Sequence, residues 1–254
     1  MGTWAIGGVG FTVDGFEEED LSEEHRRFVA PVDRALLRVR VAPGPGERSE
    51  SRDPRRIEGG EGWVRTVDAH ARWRRTGAAA FEADATLAPP HGLSHLTTAL
   101  TASLVEAEGG LVLHAAAVIV DGRAALLIGP SGAGKTSAAN LCEGCRWLAR
   151  DRVAVLDDRA WAMPGGDEIA LPQAPNVPTP VGAILRVRRA DQAAEIRRLD
   201  PVRALFALRE STQAIGDGAS LDAPLALAER LGVHELRGRL EGSLTDLLRA
   251  ATTP

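Results

Sequence analysis

GPSGAGKT, Gly129 to Thr136, holds the single lysine of a chain with 30 Lys and Arg residues. On a solvated face the two basic side chains serve alike, so an arginine bias replaces lysine there freely. A site that needs a compact ammonium on a flexible stem, where a planar fork does not fit, resists the replacement. The eight residues match G-x-x-x-x-G-K-[ST]. The setting matches too, because the apolar run RAALLIG leads in and TSAANLCE, with helical character, leads out.

In such a loop glycines adopt backbone conformations that turn successive N–H groups inward around a phosphate chain. The start of the following helix adds partial positive charge. The candidate nucleotide-binding residues are therefore Gly129, Pro130, Ser131, Gly132, Ala133, Gly134, Lys135 and Thr136. Lys135 is placed to reach the β- and γ-phosphates, and Thr136 to offer its hydroxyl to a metal ion. The implied cofactors are ATP and Mg2+. A GTPase switch is disfavoured, because a chain with one lysine has no N-K-x-D motif to read guanine.

Outward from the loop the pattern stays legible. LVLHAAAVIV and RAALLIG flank Asp121-Gly122, a hairpin signal. RWLA reads as a strand ending at Arg150 and Asp151. RVAVL and RAWAM flank Asp157-Asp158, which leaves two readings open. The aspartates are either the turn of a second hairpin, or VAVLDD is a strand presenting Asp157 to magnesium. Residues 181–189 read as a strand. Asp200 followed by Pro201 predicts a capped helix start. Helix, Gly232 cap and strand follow, and Ser243 with Asp246 has capping-box spacing. Cys142 and Cys145 are spaced C-x-x-C without a second pair, so a zinc site is disfavoured. Gly144 reads instead as the cap of the helix before it.

The first hundred residues say less. TWAIGGVGFTV, 32–41 and short stretches of 63–87 read as strands. Residues 42–62 read as a long loop, and 93–110 as a helix with Leu96, Leu100, Leu104 and Val105 on one face. This suggests two parts, a β-rich region 1–104 and a nucleotide-binding domain 105–254.

At 254 residues, 44% hydrophobic and 26% charged, the composition is that of a globular protein. The net charge of −5 and the absence of basic blocks argue against a nucleic-acid partner. No apolar run approaches the roughly 18–20 residues of a membrane span. MGTWAIGGVGF lacks the basic and apolar regions of a signal peptide. The expectation is a cytoplasmic protein with two free, reduced thiols.

The string LHAAAVIVDGRAALLIGPSGAGKTSAANLCEGCRWLARDRV resembles the catalytic domain of HPr serine kinase/phosphorylase and its smaller HPr-kinase-like relatives. That family has a His-bearing strand, a hairpin, the P-loop, a helix and a G-x-R-L-I-A-D-D-R-V-like segment. Here Gly144, Arg146, Ala149, Asp151, Arg152 and Val153 fall on the last of these. The resemblance implies an α/β P-loop kinase core of the HPr kinase and PEP carboxykinase type, with a mixed sheet.

It also implies an active site of Lys135, His114 and Asp151, with Asp151 as base toward a serine hydroxyl and, with Thr136, near the metal. The acceptor would be a protein or peptide, a biosynthetic precursor peptide among the candidates. Hexamers occur in the family, so an oligomer is compatible with it. Two departures stand out. The family's paired aspartates are Arg150-Asp151 here, and its Glu-bearing glycine-rich segment is replaced by GGDEIALPQAPNVPTP. A nucleotide-binding accessory protein and a small-metabolite kinase are therefore the alternatives.

Overall fold

A computed structural model describes residues 3–26, 29, 36–42, 57–78, 80–88, 92–164, 177–213 and 221–253. The chain is mixed α/β and divides into two compact units. The first holds the described residues up to Glu108. The second starts at Gly109 and holds every described residue after it except Met163 and Pro164. The division falls after residue 108, just past the helix that ends at Ala107.

The first unit runs β1 (Thr3–Ile6), β2 (Val9–Val13), α1 (Glu23–Arg26), β3 (Leu36–Ala42), β4 (Glu58–Gly60), β5 (Trp63–Arg65), β6 (Ala69–Gly77), β7 (Ala80–Leu87) and α2 (Gly92–Ala107). TWAIGGVGFTV is not one strand but a hairpin that turns at Gly7-Gly8. β4 forms where the sequence suggested loop, and the body of that loop lies outside the described residues.

The sheet order is β1-β2-β3-β7-β6-β5-β4, with β2–β3 and β3–β7 parallel and the other pairs antiparallel. Period-two alternation buries Leu37, Val39, Phe81, Ala83 and Ala71. α2 packs on this sheet through Leu96, Leu100 and Leu104, and Trp73 Nε1 donates to Ser103 Oγ at 2.9 Å. The alternate residues carry cross-strand ion pairs such as Arg40–Asp84 at 3.0 Å and Arg74–Glu82 at 2.7 Å. One face is buried and the other solvated, as sheets with antiparallel pairs allow.

The second unit runs β8 (Leu111–Val120), β9 (Arg123–Ile128), α3 (Lys135–Asn140), β10 (Arg146–Ala149), β11 (Arg152–Leu156), β12 (Arg159–Met163), β13 (Thr179–Arg189), β14 (Glu195–Arg198), α4 (Pro201–Ser211), α5 (Asp222–Leu231), β15 (His234–Gly238) and α6 (Thr245–Thr252). Its eight strands form one mixed sheet. β9, β13 and β15 are parallel, in the order β9-β13-β15.

β8 is antiparallel to β9 and changes partner on its own length. Residues 111–114 pair β11, and 117–119 pair β10. The pairings β8–β11–β12–β13–β9–β8 thereby close a circuit. Ala116, Val118, Leu127, Leu185 and Val187 pack with Ala138, Ala139 and Leu248 from α3 and α6. The alternate positions Ala115, Ala117, Leu126, Ile128 and Ile184 are buried as well. Cover on both faces explains why these strands read as unbroken apolar runs.

Most local expectations hold. Asp121-Gly122 and Asp157-Asp158 are two-residue turns with positive φ, the geometry of tight hairpins. Asp200 caps α4, its Oδ1 accepting from Arg203 N at 3.0 Å. The capping box at α6 does not form. Leu244 is the N-cap, Ser243 Oγ accepts from Thr245 N, and Asp246 pairs with Arg249 at 2.8 Å. Gly144 has φ +75 but lies beyond the C-cap, Leu141, and turns the chain into β10.

Gly238 ends β15 at φ +144, and a Cβ there would lie 2.5 Å from Ala194 Cα. Backbone strain and a backbone clash coincide. Gly238→Ala should cost about 3 kcal/mol, lowering the midpoint of thermal unfolding by on the order of 10 °C. An unchanged midpoint would contradict the close approach of the end of β15 to Ala194.

Candidate functional site

The phosphate-loop motif leaves β9 at the carboxyl end of the three parallel strands, where open α/β sheets place ligands. Gly129, Gly132 and Gly134 all have positive φ, and Ala133 N donates to Pro130 O at 3.2 Å to tighten the turn. Lys135 opens α3 and is buried, 8% exposed. Its Nζ donates to Gly129 O at 2.9 Å and to Pro130 O at 3.2 Å. The ammonium thus folds back over its own loop, held by neutral acceptors. Burial pushes its pKa below the ordinary 10.5, while the negative fields of Asp151 and then Glu210 pull it back up.

Asp151 belongs to the two-residue link between β10 and β11, both of which pair β8. It sits where β8 changes partner, and its carbonyl accepts from Ala115 N at 3.0 Å. His114 faces it from β8, its Nε2 3.1 Å from Asp151 Oδ1. Arg152, opposite His114 in register, places its Nε 3.9 Å from Asp151 Oδ2. The sequence put Arg150 beside the carboxylate; the described ion pair is with Arg152. His114 and Asp151 therefore meet, the charge of Asp151 acts on Lys135, and Thr136 follows Lys135 on the first turn of α3.

Asp157 and Asp158 form the β11–β12 turn, the first of the two readings open from the sequence, and Asp158 Oδ1 pairs with Arg230 at 2.9 Å. Cys142 and Cys145, expected as free thiols, are joined by a disulfide across the turn from α3 to β10.

Two groups were invisible in the sequence. Ser211, at the end of α4 and 2% exposed, accepts from Gly129 N at 3.2 Å and anchors the first residue of the loop. Glu210 beside it pairs with Arg186 at 2.9 Å and contributes to the field on Lys135. They lie some eighty positions from the loop, on a helix whose periodicity speaks only of its own packing.

Among the described residues no group of three His, Cys, Asp or Glu side chains is arranged to hold a metal. A magnesium ion that travels with a nucleotide needs only one or two protein carboxylates or hydroxyls beside the phosphates. Thr136 carries such a hydroxyl and Asp151 such a carboxylate. No described helix is long and apolar enough to cross a membrane. No protein-family model matches the chain, and no curated protein matches it.

Ser211→Ala should leave a buried N–H of Gly129 without its acceptor and cost about 1–2 kcal/mol, read as a lower urea midpoint. The lowered pKa of Lys135 also fixes a pH trend. A polyphosphate taken up by this loop would pair with the ammonium form, so its affinity should fall as pH rises through the free-state pKa, which lies below 10.5. Titration calorimetry with tripolyphosphate across the alkaline range checks this. Lys135→Met should bind weakly at every pH; a wild-type profile flat to pH 10.5 would contradict the burial argument.

Proposed function

We propose that the chain is an ATP-dependent kinase that transfers the γ-phosphoryl group to a serine hydroxyl of a protein or peptide. The observation that carries this reading is the His114–Asp151 pair, 3.1 Å apart, with Asp151 within electrostatic reach of the P-loop lysine. A phosphate cradle alone fixes a ligand. A carboxylate held next to it supplies the second requirement of phosphoryl transfer, a group to orient and deprotonate the acceptor.

In this reading Lys135 exchanges two carbonyl partners for phosphate oxygens, a move its flexible stem permits. The P-loop N–H groups hold the polyphosphate. Asp151 accepts the proton of the serine hydroxyl as the new O–P bond forms and the bond to the departing diphosphate breaks. His114 orients Asp151, and Arg152 keeps a positive charge near it. Magnesium, when bound, neutralises charge on the phosphates; Thr136 and Asp151 would hold it. The resemblance to HPr-kinase-like proteins supports the same assignment, with a biosynthetic precursor peptide among the acceptors it implies.

One observation favours a second reading. Asp151 stands next to Arg150 where the resembled family has two acids, which suits a nucleotide-binding accessory protein with little turnover.

The variants separate these readings. Lys135→Ala should weaken ATP binding on the order of 30- to 100-fold. Asp151→Asn should keep ATP binding and lower turnover with a serine-containing acceptor by about 1,000-fold. ATP binding without turnover toward any acceptor would favour the accessory protein. ATP affinity untouched by Lys135→Ala would remove both.

A further inference from the structure

A cavity of about 510 Å3 opens beside the P-loop helix. Its lining includes Ser137 from α3, Arg189 and Asp191 from the end of β13 and the residues after it, and Arg239 and Leu240 from just beyond β15. These are the carboxyl ends of β13, which pairs β9, and of β15, which pairs β13, and β9 itself feeds the phosphate loop. We infer that this cavity receives the nucleoside half of the triphosphate. Arg189 and Arg239 lie against the base and the α-phosphate, and Asp191 accepts from the ribose hydroxyls. The inference rests on the phosphate-cradle reading above and adds the part of the ligand that the P-loop does not touch.

Three features lead there. The first is direction. Lys135 and Ser137 are two positions apart on α3, about 200° around the helix, so they serve opposite flanks. The Lys135 flank is the one that feels Asp151, where the γ-phosphate would react. A nucleotide with its reactive end on that flank extends its nucleoside toward the other.

The second is closeness. Gly134 has φ +99, and a Cβ there would lie 2.6 Å from Leu240 Cδ1 and 2.9 Å from Arg189 Nε. The cavity wall therefore rests on the phosphate loop itself, and Arg189 Nη2 donates to Ser137 Oγ at 3.5 Å. A ligand held in the loop is within reach of both.

The third is chemistry. A bare anion site would exclude a carboxylate. Here two guanidinium groups are combined with Asp191 and an apolar Leu240. That mixture suits a ligand with a flat π-face, hydroxyls and a phosphate, because guanidinium planes stack on aromatic rings while carboxylates accept from sugar hydroxyls. At about 510 Å3 the space lies within the range of small-molecule sites.

The test compares ATP, its 2′,3′-dideoxy analogue and tripolyphosphate by calorimetry. At 0.15 M salt, exposed arginine fields are screened beyond about 8 Å. Wild-type protein should bind ATP at least about tenfold more tightly than tripolyphosphate. Arg189→Ala at the end of β13 and Arg239→Ala just beyond β15 should each weaken ATP about tenfold more than they weaken tripolyphosphate. Asp191→Asn should close the gap between ATP and the dideoxy analogue.

Equal affinity for ATP and tripolyphosphate, or arginine variants that weaken both ligands alike, would overturn the inference while leaving the cradle intact. Tripolyphosphate binding that Lys135→Ala does not reduce would remove the cradle and the inference with it.

Discussion

The second unit is organised around a buried ammonium that its surroundings do not neutralise. Lys135 Nζ leans on two backbone carbonyls, which satisfy hydrogen bonds without cancelling charge. Desolvation makes the charged form costly, and the fields of Asp151 and Glu210 offset only part of that cost, since the net direction of its pKa is down. Such a group is poised to gain from a dense anion. The carbonyl contacts cost little to break because each is a neutral acceptor, whereas a triphosphate would supply full negative charge.

The rest of the unit holds that cation in place. The P-loop extends the central β9, which is flanked by β8 on one side and β13 on the other. Ser211 fixes its first amide. The switch of β8 from β11 to β10 creates the gap in which Asp151 and His114 meet. The circuit itself closes through the pairing of β12 with β13, while the switch leaves a carboxylate whose charge acts on Lys135. The first unit is built differently, with one buried sheet face against α2 and a salt-bridged opposite face. Surface ion pairs of that kind contribute little stability each, so its coherence rests on the apolar face.

Legibility followed sequence distance. The hairpin turns at Asp121-Gly122 and Asp157-Asp158, the cap at Asp200 and the strand–loop–helix around Gly129–Thr136 are written in contiguous residues, because turn and cap chemistry is local. Where a local signal failed, another contact won. Ser243 and Asp246 have capping-box spacing, yet Asp246 pairs with Arg249 instead. The free thiols expected from composition are bonded, since a tight turn brings Cys142 and Cys145 together. The single strand expected at residues 3–13 folds back on itself at two glycines.

By itself the sequence determined that a lysine-bearing glycine loop follows an apolar strand, and that the chain is mixed α/β with its apolar runs in the second half. A resemblance added His114 and Asp151 as candidates without saying how far apart they lie. Only the tertiary structure decided that they meet at 3.1 Å, that Ser211 reaches the loop, that the charge of Glu210 acts on Lys135, and that Arg189 and Arg239 share a cavity beside it. The reason is physical. A phosphate loop is encoded by backbone conformations within eight consecutive residues. The groups around it are brought in by strand register and helix packing, which depend on pairings tens of residues apart and leave no mark on any one segment.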